Sequence, residues 1–467
     1  MTTQRPDLTA HGSETPPARG RGMVLAAATL GFGVINLDVS VVNVAVKPIA
    51  VTLGGGVSGV QWVIDAYTLV FAALILSAGA LGDRSGHKRL LMAGFAMFTL
   101  ASAACGLVPA IGELIAARAV QGAGAAALGA SSLALINHTY PDTAGRARAI
   151  SVWTAGGAAT LAAGPLIGGL LIATVGWRSI FFINLPLGAL GWWLTRGHAT
   201  ETPATPGRGA DLPGQAAAII ALTALAGATI ETGSAGGRLP LVVGGYALAV
   251  AAGAAFIAIE HAREHPMLPL SLFRVRAFST ATCAGLLVNL VFFGLIFAFS
   301  LFLQDQQGLS PLATGLAFLP VTILIVGSNL VAGRILPARG TRAVAWAGAL
   351  LMGAGCLAML GLLAVRVGPL VPALIAGLAL TGVGIGLVVT AVTAALLGSV
   401  APAQSGIASG AFTAFRQTGS VLGVALFGTL LASLRPPVGL EVTFAIGAGL
   451  VAVVAALGHA AGGPQER

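Results

Sequence analysis

Between residues 23 and 460 no stretch carries enough charge to coat a surface facing water. Fourteen apolar runs succeed one another there, at about 23–46, 58–82, 88–108, 111–137, 146–174, 178–196, 213–232, 239–259, 280–304, 312–334, 341–364, 368–398, 405–432 and 440–460. Each reaches or approaches the roughly 20 apolar residues that carry a helix across a bilayer. Hydrocarbon offers peptide groups no hydrogen-bond partner, so the runs are predicted to be helices and the chain an all-α membrane protein. Charged residues are 8% of the chain, whereas soluble domains hold about 25%. The 66 glycines fall inside these runs, where small residues let helices approach closely.

A net charge of +9 could suggest nucleic acid as a partner, but the placement of the charges speaks for lipid. With the N-terminus inside, seventeen of the 24 basic residues fall on the inner side and five on the outer, leaving Arg118 and Arg416 within spans. That bias orients the chain in a cell membrane with both termini cytoplasmic. It sets the positive charge against anionic headgroups. Polar, Pro-rich links at 197–212 and 260–278 bracket two spans with little polar content. The predicted organisation is a disordered tail (1–22), a six-helix bundle (23–196), a linker with two inserted helices (197–279), a second six-helix bundle (280–460) and a short tail (461–467). Cys105, Cys283 and Cys356 lie singly in separate runs, so no disulfide framework or metal cluster is expected. His261 and His265 read as a solvated juxtamembrane face, and His87 as a solvated loop residue.

The two halves repeat weakly. Gly122 and Gly124 of the fourth span align with Gly382 and Gly384 of the twelfth, and Gly164/Gly168 of the fifth with Gly419/Gly423 of the thirteenth. Paired halves imply a transporter with a central site between them. The alignment sets Arg118 against Leu378 and Arg416 against Leu161, so the charges break the symmetry.

Asp38, Asp65 and Arg118 each lie about seven or eight residues in from the outer ends of their spans, about 10–12 Å deep at 1.5 Å per residue. Ionisable groups at such depth line cavities or carry protons, and the three are expected to share one water-accessible chamber. Arg416 falls near the middle of its span and is a further candidate for the substrate cavity. Asn36, Asn43 and Gln121 are candidates for hydrogen bonds to a substrate, and Phe293 and Phe297, in the aromatic run 289–304, for stacking or cation–π contact with one. Strings such as Gly382–Gly386 lack the Lys-Ser/Thr and the preceding strand of a phosphate loop. Without an ATP site, an ion gradient is the expected energy source, with no cofactor, no metal and no enzymatic activity.

Several motifs resemble the major facilitator superfamily, and within it the 14-helix drug:proton antiporter family. "DVSVVNVAVKP" (38–48), "GALGDRSGHKRLL" (79–91), Arg118-x-x-Gln121-Gly122, "AAGPLIGG" (162–169), "WRSIFFINLPLG" (177–188), "LFLQDQQGLSPLATGLAFLP" (301–320) and "FRQTGSVLGVALFG" (415–428) carry the likeness. The resemblance implies proton-coupled export of lipophilic, cationic or zwitterionic drugs, with a monomer sufficient. Asp38, Asp65 and Arg118 would couple protons. Gly79, Gly82, Asp83, Arg84, Gly86, Lys88 and Arg89 would form a gating loop, with Asp83 set against a helix N-terminus of the opposite half. Gly164, Pro165, Gly168 and Gly169 would shape the interface between bundles. Import by proton symport on the same fold, and a membrane sensor that transports nothing, are the alternatives.

Overall fold

The computed structural model describes residues 18–203, 211–233, 238–263, 266, 268–365, 370–400, 405–435 and 437–460. Most of the two predicted tails lies outside that set, but 18–22 already belong to the first helix, α1 (Ala18–Val42). No strand occurs among the described residues.

The first bundle comprises α1, the short α2 (Val46–Leu53), α3 (Gly56–Ser85), α4 (His87–Leu107), α5 (Ile111–Thr139), α6 (Thr143–Thr174), α7 (Ser179–Phe182) and α8 (Asn184–His198). The first predicted span, 23–46, runs past a turn at 43–45 and is two helices. The sixth, 178–196, is also broken: one turn, α7, precedes α8, whose Pro186 sits in the first turn where its missing N–H costs nothing. Asp142 caps α6 by accepting from the Gly145 amide.

The inserted pair is α9 (Leu212–Thr232) and α10 (Leu239–Ala262). Asp211 caps α9 through the Gly214 amide at 2.9 Å and pairs with Arg263 at 3.2 Å, tying the two helices at one end. The α9 helix packs on α3 and α14, bridging the halves, while α10 turns Leu241, Val243, Leu248, Val250 and Ile257 outward. The second bundle holds α11 (Arg276–Leu301), α12 (Pro311–Val365), α13 (Leu370–Gly398), α14 (Ser405–Ser433) and α15 (Val438–Ala460). The α12 helix breaks at Gly340, whose φ of 75° is left-handed, giving the two spans the sequence predicts there and fourteen membrane helices among the described residues. A π-turn, Phe302–Gln306, ends α11.

The repeat is visible in packing. A side chain at Gly122 would strike the Tyr67 carbonyl of the second span at 2.3 Å, and one at Gly382 would meet Val321 of the tenth at 3.1 Å. Gly124 lies against Phe98 of the third span, and Gly384 against Gly348 and Met352 of the eleventh. Gly164 and Gly168 admit Ser40 and Val41 of α1, and Gly419 and Gly423 admit the Leu286 and Leu290 carbonyls of α11. Each pair therefore performs the same close approach in its own half.

Direct bonds between the halves gather at the end holding Lys47. Lys47 pairs with Asp305 at 3.2 Å, Gln304 donates to the Val44 carbonyl at 3.2 Å, and Ser300 donates to the Asn43 carbonyl. Gln61 of α3 donates to the Val424 and Ala425 carbonyls of α14, each at 3.0 Å. Between α6 and α12, Gly169 abuts Pro311 and Leu312, and Gly315 abuts the Pro165 carbonyl.

Candidate functional site

Asp38 lies in the wall of the first bundle and is fully buried, as is Arg118. The two are ion-paired through Asp38 Oδ2 and Arg118 Nη1. Arg118 also donates from Nε to the Val63 carbonyl at 3.1 Å and from Nη1 to Gln121 Oε1 at 2.8 Å, with its guanidinium 4.2 Å over the Tyr67 ring. The other carboxylate oxygen, Asp38 Oδ1, accepts from Gln121 Nε2 at 2.9 Å and Asn184 Nδ2 at 3.0 Å. Both amides donate as well to Ser102 Oγ, at 3.2 and 3.0 Å, and Ser102 donates to the Phe181 carbonyl at 2.9 Å. The carboxylate of α1 is thus bonded from α5 and α8, with α3 joined to it through Arg118 and α4 and α7 through Ser102. Donation from one guanidinium N–H and from two amides fits an ionised carboxylate.

Asp65 does not join this group. It is fully buried, yet neither of its oxygens has a partner among the described residues. It lies one helical turn from Gln61, which bonds to α14, and on the side of α3 where Leu76 packs on Gly410, so its Cβ points to the seam between the halves. The expected chamber shared by Asp38, Asp65 and Arg118 is therefore corrected to two separate places: a satisfied network inside one bundle and an unpartnered carboxyl at the interface. Depth along a helix was the right measure for Asp38 and Arg118, but it carries no information on which face of α3 holds Asp65.

Adjacent to the network is a small cavity between the halves, about 60 Å³, room for a few waters. From the first half Ser40, Asn43 and Leu161 reach it, and from the second Phe292, Phe293, Phe318, Thr322 and Asn329. Ser40 and Asn43 follow Asp38 on α1, so the cavity wall and the carboxylate network share one helix. Of the predicted lining, Asn43 and Phe293 are present. Asn36 bonds to its own helix at the Phe32 carbonyl and packs at Gly157. Gln121 is spent on Asp38, and Phe297 is buried in the core against Gly428. Arg416 is half-buried, 3.4 Å from Asn289 Oδ1, and is not part of the lining.

In the loop joining α3 and α4, Asp83 accepts from His87 at 3.1 Å and makes no ion pair with the opposite half among the described residues. His87 is buried on Gly82, with 7% of its surface exposed, which corrects the reading of it as a solvated residue. Its backbone amide donates to Thr202 Oγ1 at 2.9 Å, while Glu201 accepts from the Lys88 and Arg89 amides at 2.9 and 3.2 Å. Gly86, at φ 93°, leaves room for the Glu201 carboxylate. Arg84 is exposed, Lys88 Nζ donates to the Arg196 carbonyl at 3.1 Å, and nothing approaches the open side of Gly79. Gly164 and Gly168 face α1, whereas Pro165 and Gly169 meet the second half.

Sequence reasoning missed Asn184, Ser102 and Tyr67. Asn184 sits in "FFINLPLG", where an Asn ahead of Pro reads as a helix-start signal, and a small hydroxyl such as Ser102 is ordinary in a membrane helix.

A model of the Major Facilitator Superfamily matches residues 28–423. The chain is 37% identical over 440 residues to the methylenomycin A resistance protein of Streptomyces coelicolor, covering 93% of this chain and 91% of that one. It is 36% identical over 416 residues to the multidrug resistance protein Stp of Mycobacterium tuberculosis, covering 88% and 76%. It is 31% identical over 440 residues to the tetracenomycin C resistance and export protein of Streptomyces glaucescens, covering 93% and 80%. Among solved structures, the human organic anion transporter MFSD10 superposes with a TM-score of 0.65 at 15% identity, covering 95% of this chain and all of that one. The xylose transporter XylE of E. coli gives 0.63 at 13%, covering 93% and 98%. At those identities the likeness is one of fold.

Proposed function

The chain belongs to the Major Facilitator Superfamily, and on that premise we propose that it is an antiporter that exports drugs or antibiotics by alternating access, driven by inward proton flow. The observation that carries this reading is the position of α1. One helix presents Asp38 to Arg118 on one side and Ser40 and Asn43 to the cavity between the halves on the other. A change in the charge of Asp38 alters the forces on the helix that forms the substrate wall. Relatives named for resistance to methylenomycin and for tetracenomycin export support the export direction.

Substrate class follows from the lining. Phe292, Phe293, Phe318, Ile296, Ile325 and Val326 supply an apolar surface, with Asn43 and Asn329 as sparse hydrogen-bonding groups. Such a wall favours lipophilic molecules by burial, and its phenyl faces can receive a cationic centre. The contacts among Lys47, Asp305, Ser300 and Gln304 close what the basic-residue bias makes the outer side. In this outward-closed state Asp83 makes no ion pair with the opposite half among the described residues. Asp65, at the seam, is the second proton site of the proposal: a proton there removes a charge that no neighbour among the described residues compensates. One charge crossing 100 mV contributes about 2.3 kcal/mol, enough to drive export without nucleotide hydrolysis. The chain acts in the cytoplasmic membrane, both termini inside, as a monomer with no cofactor.

Resistance profiling tests the reading. An efflux-deficient bacterial host carrying the protein should survive lipophilic antibiotics at several-fold higher concentration, and a protonophore should abolish the efflux. Accumulation of drug in the presence of the protein would instead indicate import.

A further inference from the structure

We propose that Asn184 is a positioning residue for Asp38 whose amide turns over when Asp38 binds a proton, donating to the carboxylate and accepting from the carboxylic acid. The inference rests on the reading of Asp38 as a proton-coupling group, and its test separates the two.

An inventory of donors and acceptors leads to it. Arg118 has only donors. Gln121 uses both N–H groups, on Asp38 and Ser102, and its Oε1 accepts from Arg118 at 2.8 Å, so turning it over would aim its N–H groups at the guanidinium. Ser102 Oγ accepts from both amides and donates to the Phe181 carbonyl at 2.9 Å, which spends the hydroxyl. Asn184 also uses both N–H groups, but its Oδ1 has no partner among the described residues although the side chain is fully buried. Of the side chains that donate to Asp38 it is the one with an unspent acceptor; the Tyr67 hydroxyl, also without a partner among the described residues, belongs to the ring under the guanidinium and does not bond to Asp38.

A proton on Asp38 Oδ1 would put an O–H against two N–H donors, a clash that requires one neighbour to offer a lone pair. Asn184 can do so by a half-turn about its Cβ–Cγ bond, a two-fold torsion that moves no backbone. The Ser102 hydroxyl proton can follow. The other titratable groups near Asp38 are Arg118 of α5, Cys105 of α4, whose thiol lies 3.6 Å from Gln121 Oε1, and Tyr67 of α3 under the guanidinium. The charged residues of α6 and α8, namely Arg146, Arg148, Arg196 and His198, lie at helix ends far along the chain from Gly164 and Asn184, and α7 has none.

The test is the pH profile of substrate-driven proton exchange by the full-length protein in liposomes, with a lipophilic drug that it exports as the probe. Donation to a carboxylate is worth more than acceptance from a neutral acid. Asn184→Leu should therefore move the midpoint of the profile upward by about one pH unit. Ser102→Ala, which removes a single oxygen and loosens both amides, should move it the same way by less, and decides the matter where Asn184→Leu does not reach the membrane. A lower maximal rate with the midpoint unmoved in the variants that can be measured overturns the proposal. If in the same assay Asp38→Asn retains coupled, pH-dependent exchange, it is the reading of Asp38 itself that falls.

Discussion

At the scale of the residue, Asp38 and Arg118 illustrate why a buried charge in a membrane bundle needs more than an opposite charge. Desolvating two ions costs several kcal/mol each, and the pair is tolerated because the remaining lone pairs and N–H groups are also used. Arg118 reaches Asp38, Gln121 and the Val63 carbonyl at once, a fork that an ammonium cannot reproduce. Arg118→Leu should strand the carboxylate and destabilise the bundle by about 3–5 kcal/mol, read as a clear fall in the melting temperature of detergent-solubilised protein. Arg118→Lys should recover part of that stability and little of the transport. An unchanged melting temperature in Arg118→Leu would mean that the pair contributes nothing to the fold. The meeting of Asp38 with Arg118 was legible from their depth, whereas Gln121, expected at the substrate cavity, is spent on Asp38. Asn184 was not legible, because one polar residue two positions before a proline has an ordinary local explanation, and only the return of α8 past α1 and α4 brings it to Asp38.

At the scale of the element, the start of α4 shows how a loop of known motif acquires a local partner. Four amides at a helix N-terminus lack intrahelical acceptors. Here Thr202 and Glu201, from the link after the first bundle, accept from the His87, Lys88 and Arg89 amides. Glu201→Ala should cost about 1 kcal/mol and increase hydrogen exchange at the first turn of α4, measured by mass spectrometry; unchanged exchange there would remove the cap from the account. Gly86→Ala should cost more, since its φ of 93° is strained for a side chain and Glu201 fills the space. Helix existence followed from apolar length almost throughout. Boundaries did not: hydropathy does not register the turn at 43–45 or the break before Asn184, because the residues there are as apolar as the helices they separate.

At the scale of the whole molecule, two bundles meet along α6–α12 and α3–α14, and the polar bonds between them cluster around Lys47, Gln61 and Gln304. Lys47 and Asp305 are 40% and 50% exposed, so their pair is worth at most about 1 kcal/mol. Asp305→Lys, which removes the attraction and adds a repulsion of similar size, should raise outer opening by about five- to thirtyfold, read as faster labelling of a cysteine placed at position 43 by a membrane-impermeant maleimide, and adding Lys47→Asp should return the rate most of the way to the original. Labelling equally fast in all three proteins would show that the pair does not hold the outer side. The proposal at this scale is that proton binding at Asp38 drives the opening and closing of the outer side. Its most direct test is substrate-induced proton release in everted membrane vesicles carrying Asp38→Asn: the account predicts that release is lost while drug still binds, and release at the wild-type level would contradict it.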